Sequence, residues 1–290
     1  MVVCFTPARR ANSAIHIGRV SYLDYASNCI VITGDMNQAT PLLLLPGLMN
    51  DARVWNPLTT AIAEERTLYI APTHLRDSIA ESARDAIAAM PAGSFAVAGF
   101  SLGGYVTQEV CRQAGGRIAG LGLLDTGARA DTEEVKQIRE RMIQAVDGAE
   151  GAGTATFGET AQGFAARIVH PSRLKDRELL HLLFDMASTV GSKGFARQQR
   201  AAMNRFDTRD LLRHLHVPAL VVCGCEDQVT PISLSHEMAS LLPDAELVAV
   251  SDAGHMSILE QPAMVVAALL RWLGRVDAAI THRSEGPIST

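Results

Sequence analysis

The chain opens on two short runs at period two, Ile15–Tyr25 ("IHIGRVSYLDY") and Asn28–Thr33 ("NCIVIT"), joined by Ala26, Ser27 and Asn28. Alternating patterns this close together predict a β-hairpin. The texture then changes. "PLLLLPG" at 41–47 is continuously apolar and ends in Pro-Gly, the pattern of a strand buried on both faces. Asn56-Pro57 reads as the N-cap and first turn of a helix. "TLYIAP" at 67–72 is the next strand, and Ser78 with Glu81 forms a capping box. Ile79, Ala83, Ala86, Ile87 and Met90 follow at helical spacing until Pro91. "SFAVAG" at 94–99 and "IAGLGLLD" at 118–125 are two more strands, with a helix after Gly104 between them.

From about 127 to 207 the alternation of strand and helix stops, and only helical patterns remain. Asp131 and Glu134 open the first, with Val135, Ile138, Met142 and Ala145 along one face; others cover 158–169, 176–189 and 193–204. Strands resume at "PALVVCG" (218–224) and "AELVAV" (245–250), with a helix opened by Thr230-Pro231 between them and a last helix from Gln261-Pro262 to near Gly274. This order predicts an α/β fold: a mostly parallel, doubly wound sheet of about eight strands with an inserted helical module. The core would be one discontinuous domain, 15–126 and 208–275, with the module at 127–207. Residues 1–14 and 276–290 are small, polar and aperiodic, and are expected to be poorly ordered ends.

Composition narrows the class. At 290 residues, 48% hydrophobic and 20% charged, the chain can bury a sizeable core. Net charge is -5 and the 26 basic residues form no dense cluster, so no nucleic-acid partner is expected. Five cysteines without framework spacing suit a reducing compartment, and Cys223 with Cys225 reads as two small core residues on one strand face. No apolar run reaches the roughly 18 residues of a membrane helix, and the N-terminus lacks a long apolar region behind its charges. A cytoplasmic protein without a membrane partner is the expectation.

The candidate chemistry lies in Gly99-Phe100-Ser101-Leu102-Gly103, a G-x-S-x-G between a buried strand and a helix. A serine at a sharp strand-to-helix bend needs a left-handed backbone, and the residues two before and two after it come too close for side chains. The bend lifts the hydroxyl to a helix N-terminus, where free amides are available. A tight turn with a satisfied serine would need no more. A nucleophile needs a base, and the base an orienting acid, each just past a later strand. Both appear: Glu226-Asp227 after "PALVVCG" and Asp252-Ala253-Gly254-His255 after "AELVAV".

With these residues the chain resembles the α/β-hydrolase family over about 15 to 275. Gly224, Asp227 and Pro231 match the family's acid loop, and Gly254, His255, Glu260 and Pro262 its histidine loop. The resemblance implies Ser101 as nucleophile, His255 as general base and acid, and Asp227 as orienter, with Glu226, Asp125 and Asp252 as rival acids. It implies an oxyanion hole from the amides of Leu102 and Leu48. At that second turn Pro46-Gly47 stands where relatives usually carry His-Gly, which removes a hydrogen-bonding side chain from behind it. The loop after "TLYIAP" is shorter than in many relatives and lacks their glycines. Met49, His74, Arg197 and Arg200 are candidate substrate contacts; His74 also reads as a surface-loop residue, and the arginines as a solvated helix face. The helical module would sit over the strand ends as a cap.

A serine nucleophile implies a small-molecule acyl substrate, a carboxylic ester first, and calls for no cofactor or metal. Hydrolysis of a C–C or amide bond in a catabolic intermediate is the alternative, and a ligand-binding protein on a hydrolase scaffold is the alternative of a different class.

Overall fold

The computed structural model describes residues 20–24, 28–34, 39–147 and 157–284. The N-terminal residues 1–14, the hairpin connection at Ala26 and Ser27, and residues 285–290 lie outside them.

Eight strands form one sheet: β1 (Val20–Asp24), β2 (Cys29–Ile32), β3 (Leu42–Leu45), β4 (Leu68–Ile70), β5 (Phe95–Phe100), β6 (Ile118–Leu124), β7 (Ala219–Gly224) and β8 (Ala245–Val250). Their order is β1-β2-β4-β3-β5-β6-β7-β8. β1 pairs antiparallel with β2, and β2 antiparallel with β4; every later pair is parallel. The continuously apolar strands β3, β5, β6 and β7 are buried along their whole length, as strands covered on both faces must be. Successive residues serve opposite layers. Leu42 and Leu44 pack with Trp55 and Trp272, beside α1 (Asn56–Ile62) and α10 (Pro262–Ser284). Leu43 and Leu45 pack with Ala83, Val106 and Met238 of α2 (Ile79–Ala88), α3 (Leu102–Ala114) and α8 (Ile232–Leu241).

From β3 the chain winds to β4 on one side, then returns to β5 on the other. This reversal opens a crevice at the carboxyl ends of β3 and β5, where open α/β sheets place their ligands.

Among its described residues the segment between β6 and β7 has helices and no strand: α4 (Glu133–Asp147), α5 (Phe157–Ile168), α6 (Arg177–Met203) and the short α7 (Arg209–Arg213). α6 is two helices meeting at Gly191, whose φ of 69° and ψ of 172° are not helical, which accounts for the two separate periodic runs in the sequence. Thr132 Oγ1, not Asp131, accepts from Val135 N in the first turn of α4, and Asp131 is taken up by two arginines.

Four local expectations change. Asp51 caps a single 3₁₀ turn, Ala52–Trp55, that runs directly into α1, so Asn56 caps nothing. Cys223 is a buried strand residue, but Cys225 lies past the strand's end and is exposed. A four-residue helix, α9 (Ser257–Glu260), precedes α10. α10 continues past Gly274 to Ser284 because its later turns are anchored: Val276 is fully buried, and Asp277 accepts from Thr40 N at 3.0 Å and pairs with Arg66 at 2.5 Å. Gly274 faces open space, so its lower helix propensity is felt without ending the helix. Among the described residues no helix is long and apolar enough to cross a membrane.

Candidate active site

Ser101 stands between β5 and α3 with φ 53° and ψ -118°. Its two flanking glycines are sterically required: a Cβ on Gly99 would lie 2.3 Å from Gly103 O, and one on Gly103 would lie 2.0 Å from Leu45 O. A backbone this unusual costs roughly 1–3 kcal/mol and persists only where its surroundings fix it. Here the end of β6 does so. Ser101 N donates to Leu124 O at 2.9 Å, and the Thr126 hydroxyl donates to Ser101 O at 2.8 Å.

Two later strand ends complete the constellation. His255 Nε2 lies 2.8 Å from Ser101 Oγ, and His255 Nδ1 lies 2.8 Å from Asp227 Oδ2. Asp227 Oδ1 accepts from Val229 N at 2.7 Å and Thr230 N at 3.0 Å, and Oδ2 from the Thr230 hydroxyl at 2.6 Å. Burial works against the Asp227 charge, but the imidazole and these donors outweigh it and hold the carboxyl below its usual range. Burial likewise works to lower the His255 pKa, and the Asp227 carboxylate, aided by Asp125 and Glu260, overrides it and raises it.

The rival acids have other duties. Glu226 is exposed and accepts from Ala253 N at 3.3 Å. Asp252 is exposed. Asp125 is fully buried and accepts from Gly224 N at 2.9 Å and from the Ser257 hydroxyl. Burial, and then the nearby Asp227 charge, push Asp125 up to about 8. The two carboxyls near the imidazole thus differ: Asp227 is held in its ionised form, and Asp125 is the harder of the two to ionise. Asp125, Cys223 and Asp227 bring possible ligand atoms within 4.8 Å of one another. The two carboxyls are hydrogen-bonded to Gly224 N, Ser257, Val229 N, Thr230 and His255, and Cys223 Sγ to the Gly224 and Thr230 carbonyls.

Glu260, known from the sequence only as a motif position, ties the histidine loop together. One oxygen accepts from Gly254 N at 3.0 Å and Met256 N at 3.1 Å, and the other from His170 N at 2.6 Å. His255 N donates to Ile168 O at 2.8 Å, so the end of α5 is bonded directly to the loop that carries the imidazole.

At the β3 turn, Gln198 of α6 supplies what Pro46 cannot. The fully buried amide accepts from Met49 N at 3.0 Å and donates to Gly47 O at 3.1 Å and Thr73 Oγ1 at 3.0 Å. Thr73 in turn donates to Pro46 O at 3.0 Å. Leu48 is the residue inside this clamp, and among the described residues neither its amide nor that of Leu102 is engaged elsewhere.

The cleft over Ser101 has a volume of about 220 Å³ and is walled by Leu48, Tyr105, Ile138, Met142, Phe164 and Val229 among others. Asn50, Arg139 and Gln199 add polar groups to it. The proposed substrate contacts are placed differently. Met49 is buried in a small core with Val146, Ala161, Ala187 and Phe195, its amide committed to Gln198. His74 lines a separate cavity beside Pro46 and Asp51, and its Nδ1 is buried without a partner. Burial lowers its pKa against the pull of Asp51. Arg197 is exposed, and neither it nor Arg200 lines the Ser101 cleft. The reason is helical phase: α6 turns Phe195, Gln198, Gln199 and Ala202 inward, which rotates the two arginines away. Gln198, Gln199 and Arg139 were missed; a glutamine pair bracketed by Phe195 and Ala202 at inward spacing was the available signal.

A strained serine hydrogen-bonded to a buried imidazole, itself held by a carboxylate, can deliver an alkoxide-like oxygen to a carbonyl carbon. This chemistry stands on a fold with known relatives. The chain belongs to the alpha/beta hydrolase family, whose model matches residues 42–268. It is an enzyme of the hydrolase class. It is 27% identical over 258 residues to a provisionally named carbamate hydrolase, RutD, of Azorhizobium caulinodans, covering 82% of this chain and 92% of that one. It is 27% identical over 202 residues to a pimeloyl-[acyl-carrier protein] methyl ester esterase of Neisseria meningitidis, covering 66% of this chain and 60% of that one. Among solved structures it resembles a thermophilic esterase from Thermogutta terrifontis, with a TM-score of 0.76 and 27% identity, covering 86% of this chain and 94% of that one.

Proposed function

We propose that the chain is a serine hydrolase that cleaves a small carboxylic ester through an acyl-enzyme. The observation that carries this is the unbroken line of 2.8 Å contacts from Asp227 through His255 to Ser101. Ser101 Oγ attacks the ester carbonyl while His255 Nε2 takes its proton. The oxyanion is received by the Leu102 and Leu48 amides. His255 then protonates the departing alcohol, and the acyl-enzyme is released by water activated at the same nitrogen. Asp227 keeps the proton of the neutral ring on Nδ1 and stabilises the imidazolium that forms. The helices of 127–207 act as a cap over this site, limiting water access and shaping the pocket.

Turnover of p-nitrophenyl esters from acetate to octanoate, beside matched aryl carbamates, tests the reading. Esters should be the faster substrates. The reverse order would move the substrate class to carbamates, a reading favoured by the likeness to RutD. The pH profile should carry the sign of the His255 shift. The base must be neutral, and its folded pKa is raised. The acid limb of kcat/KM should therefore lie above about 6.5, the value of an unperturbed histidine. A limb below that value would contradict a raised His255 pKa.

Gln198 gives the oxyanion donor a further test. Gln198→Leu leaves Met49 N without its acceptor, takes from Gly47 O one of its two donors (Asn50 N remains), and frees the Leu48 turn to move. The expected result is a loss in kcat of about 10²-fold, the low end for removing an oxyanion donor, with KM little changed. Counting active sites with a phosphonate separates this from loss of folded enzyme. An unchanged kcat per titrated site would show that the clamp is structural only.

A further inference from the structure

Two arginines beside the cleft share a single aspartate. Arg139 of α4 is the one side chain with a permanent charge lining the Ser101 cleft among the described residues, and it is only 17% exposed. Its Nε donates to Asp131 Oδ2 at 2.6 Å and its Nη1 to Gln199 Oε1 at 2.6 Å. Asp131 is shared: its other oxygen pairs with Arg205 at 2.7 Å, and that guanidinium lies 3.9 Å over the Tyr105 ring. Two arginines and one aspartate, 3% exposed, thus leave a net charge of +1 at a largely buried position. The neighbouring acids are spent elsewhere, Glu109 on Arg112 and Glu237 on Arg129 and Arg209.

An unbalanced buried charge is costly unless something pairs with it. The pairs with Asp131 and Gln199 use Nε and Nη1 and hold the guanidinium in one orientation. No acceptor occupies Nη2 among the described residues. The same cleft is walled mainly by apolar side chains, Leu48, Ile138, Met142 and Phe164 among them, and contains the serine. The cleft therefore combines a serine, apolar walls and an oriented cation.

We propose that Arg139, oriented by Asp131 and Gln199, is an anion subsite of this cleft, and that the preferred substrate is an ester carrying a carboxylate remote from the scissile carbonyl. The inference rests on the serine hydrolase reading for the identity of the scissile bond, but not for binding of the anion.

Two measurements test it separately. In the first, mono-p-nitrophenyl adipate is compared with p-nitrophenyl hexanoate, of similar length and without the charge. A second pair, 4-acetoxybenzoate against methyl 4-acetoxybenzoate, puts the carboxylate on the leaving group. The wild type should prefer the charged member of at least one pair. Arg139→Met should reduce that preference by about 10- to 100-fold, as expected for a lost charge-assisted hydrogen bond in a partly desolvated site. Arg139→Lys should recover part of it. In the second, monomethyl adipate is titrated calorimetrically into Ser101→Ala protein with and without Arg139→Met, where no turnover is needed. Binding weakened about 10-fold or more by the arginine change supports the subsite. Equal treatment of charged and neutral partners by the wild type, or equal binding with and without Arg139, overturns it. If the anion binds through Arg139 but no ester is turned over, the subsite stands and the ester reading falls.

Discussion

Replacing Ser101 with alanine is expected to lower ester turnover by about 10⁵- to 10⁶-fold, the scale seen when a serine nucleophile is removed. The fold should be unaffected. Alanine has the same Cβ, so the φ of 53° is no more strained than before, and the backbone bonds to Leu124 and Thr126 remain. His255→Ala should be nearly as damaging, and the double variant little worse than either alone, because nucleophile and base act as a unit. A turn that needed a small polar residue only for packing would give another result: Ser101→Ala would then keep most of the activity.

Asp227→Asn should cost about 10⁴-fold in kcat, with the geometry intact. The amide cannot take the Nδ1 proton's hydrogen bond as the carboxylate does. The ring then turns its proton toward Ser101 and ceases to be a base. Burial of His255, no longer opposed by the Asp227 charge, should also draw the acid limb of the pH profile downward. Asp125→Asn is the informative partner. Burial and Asp227 make Asp125 the harder of the two carboxyls to ionise, and an amide keeps an acceptor for Gly224 N. Its loss should be smaller than about 10-fold, since no formal charge is removed from the imidazole's partner. A collapse in Asp125→Asn with activity retained in Asp227→Asn would exchange the two roles.

The parts of the fold and site that were legible in the sequence are local. β3, β5, β6 and β7 are apolar at every position because both faces are covered, and that pattern survives any detail of packing. Ser101, Asp227 and His255 each come within five residues of a strand's carboxyl end, so chain order alone brings them to one edge of the sheet. What escaped depends on distance and phase. Gln198 meets Gly47 across 151 positions of sequence, and nothing local marks it as the replacement for a missing histidine. The break at Gly191 resets the phase of α6, so the sequence pattern left open whether Arg197 and Arg200 face the site or solvent. Arg139 is one polar position among many on α4 until Gln199, 60 residues on, fixes its direction. The end of α10 was misjudged because Gly274 is visible in the sequence while the buried anchor at Val276 is not.

Labelling with a fluorophosphonate, followed by mass spectrometry of the modified peptide, tests the nucleophile most directly. One adduct per chain, on Ser101, is predicted for the wild type. Labelling should be lost in Ser101→Ala and strongly slowed in His255→Ala. An unlabelled wild type, or an adduct that persists in Ser101→Ala, would contradict the assignment of Ser101 as the nucleophile.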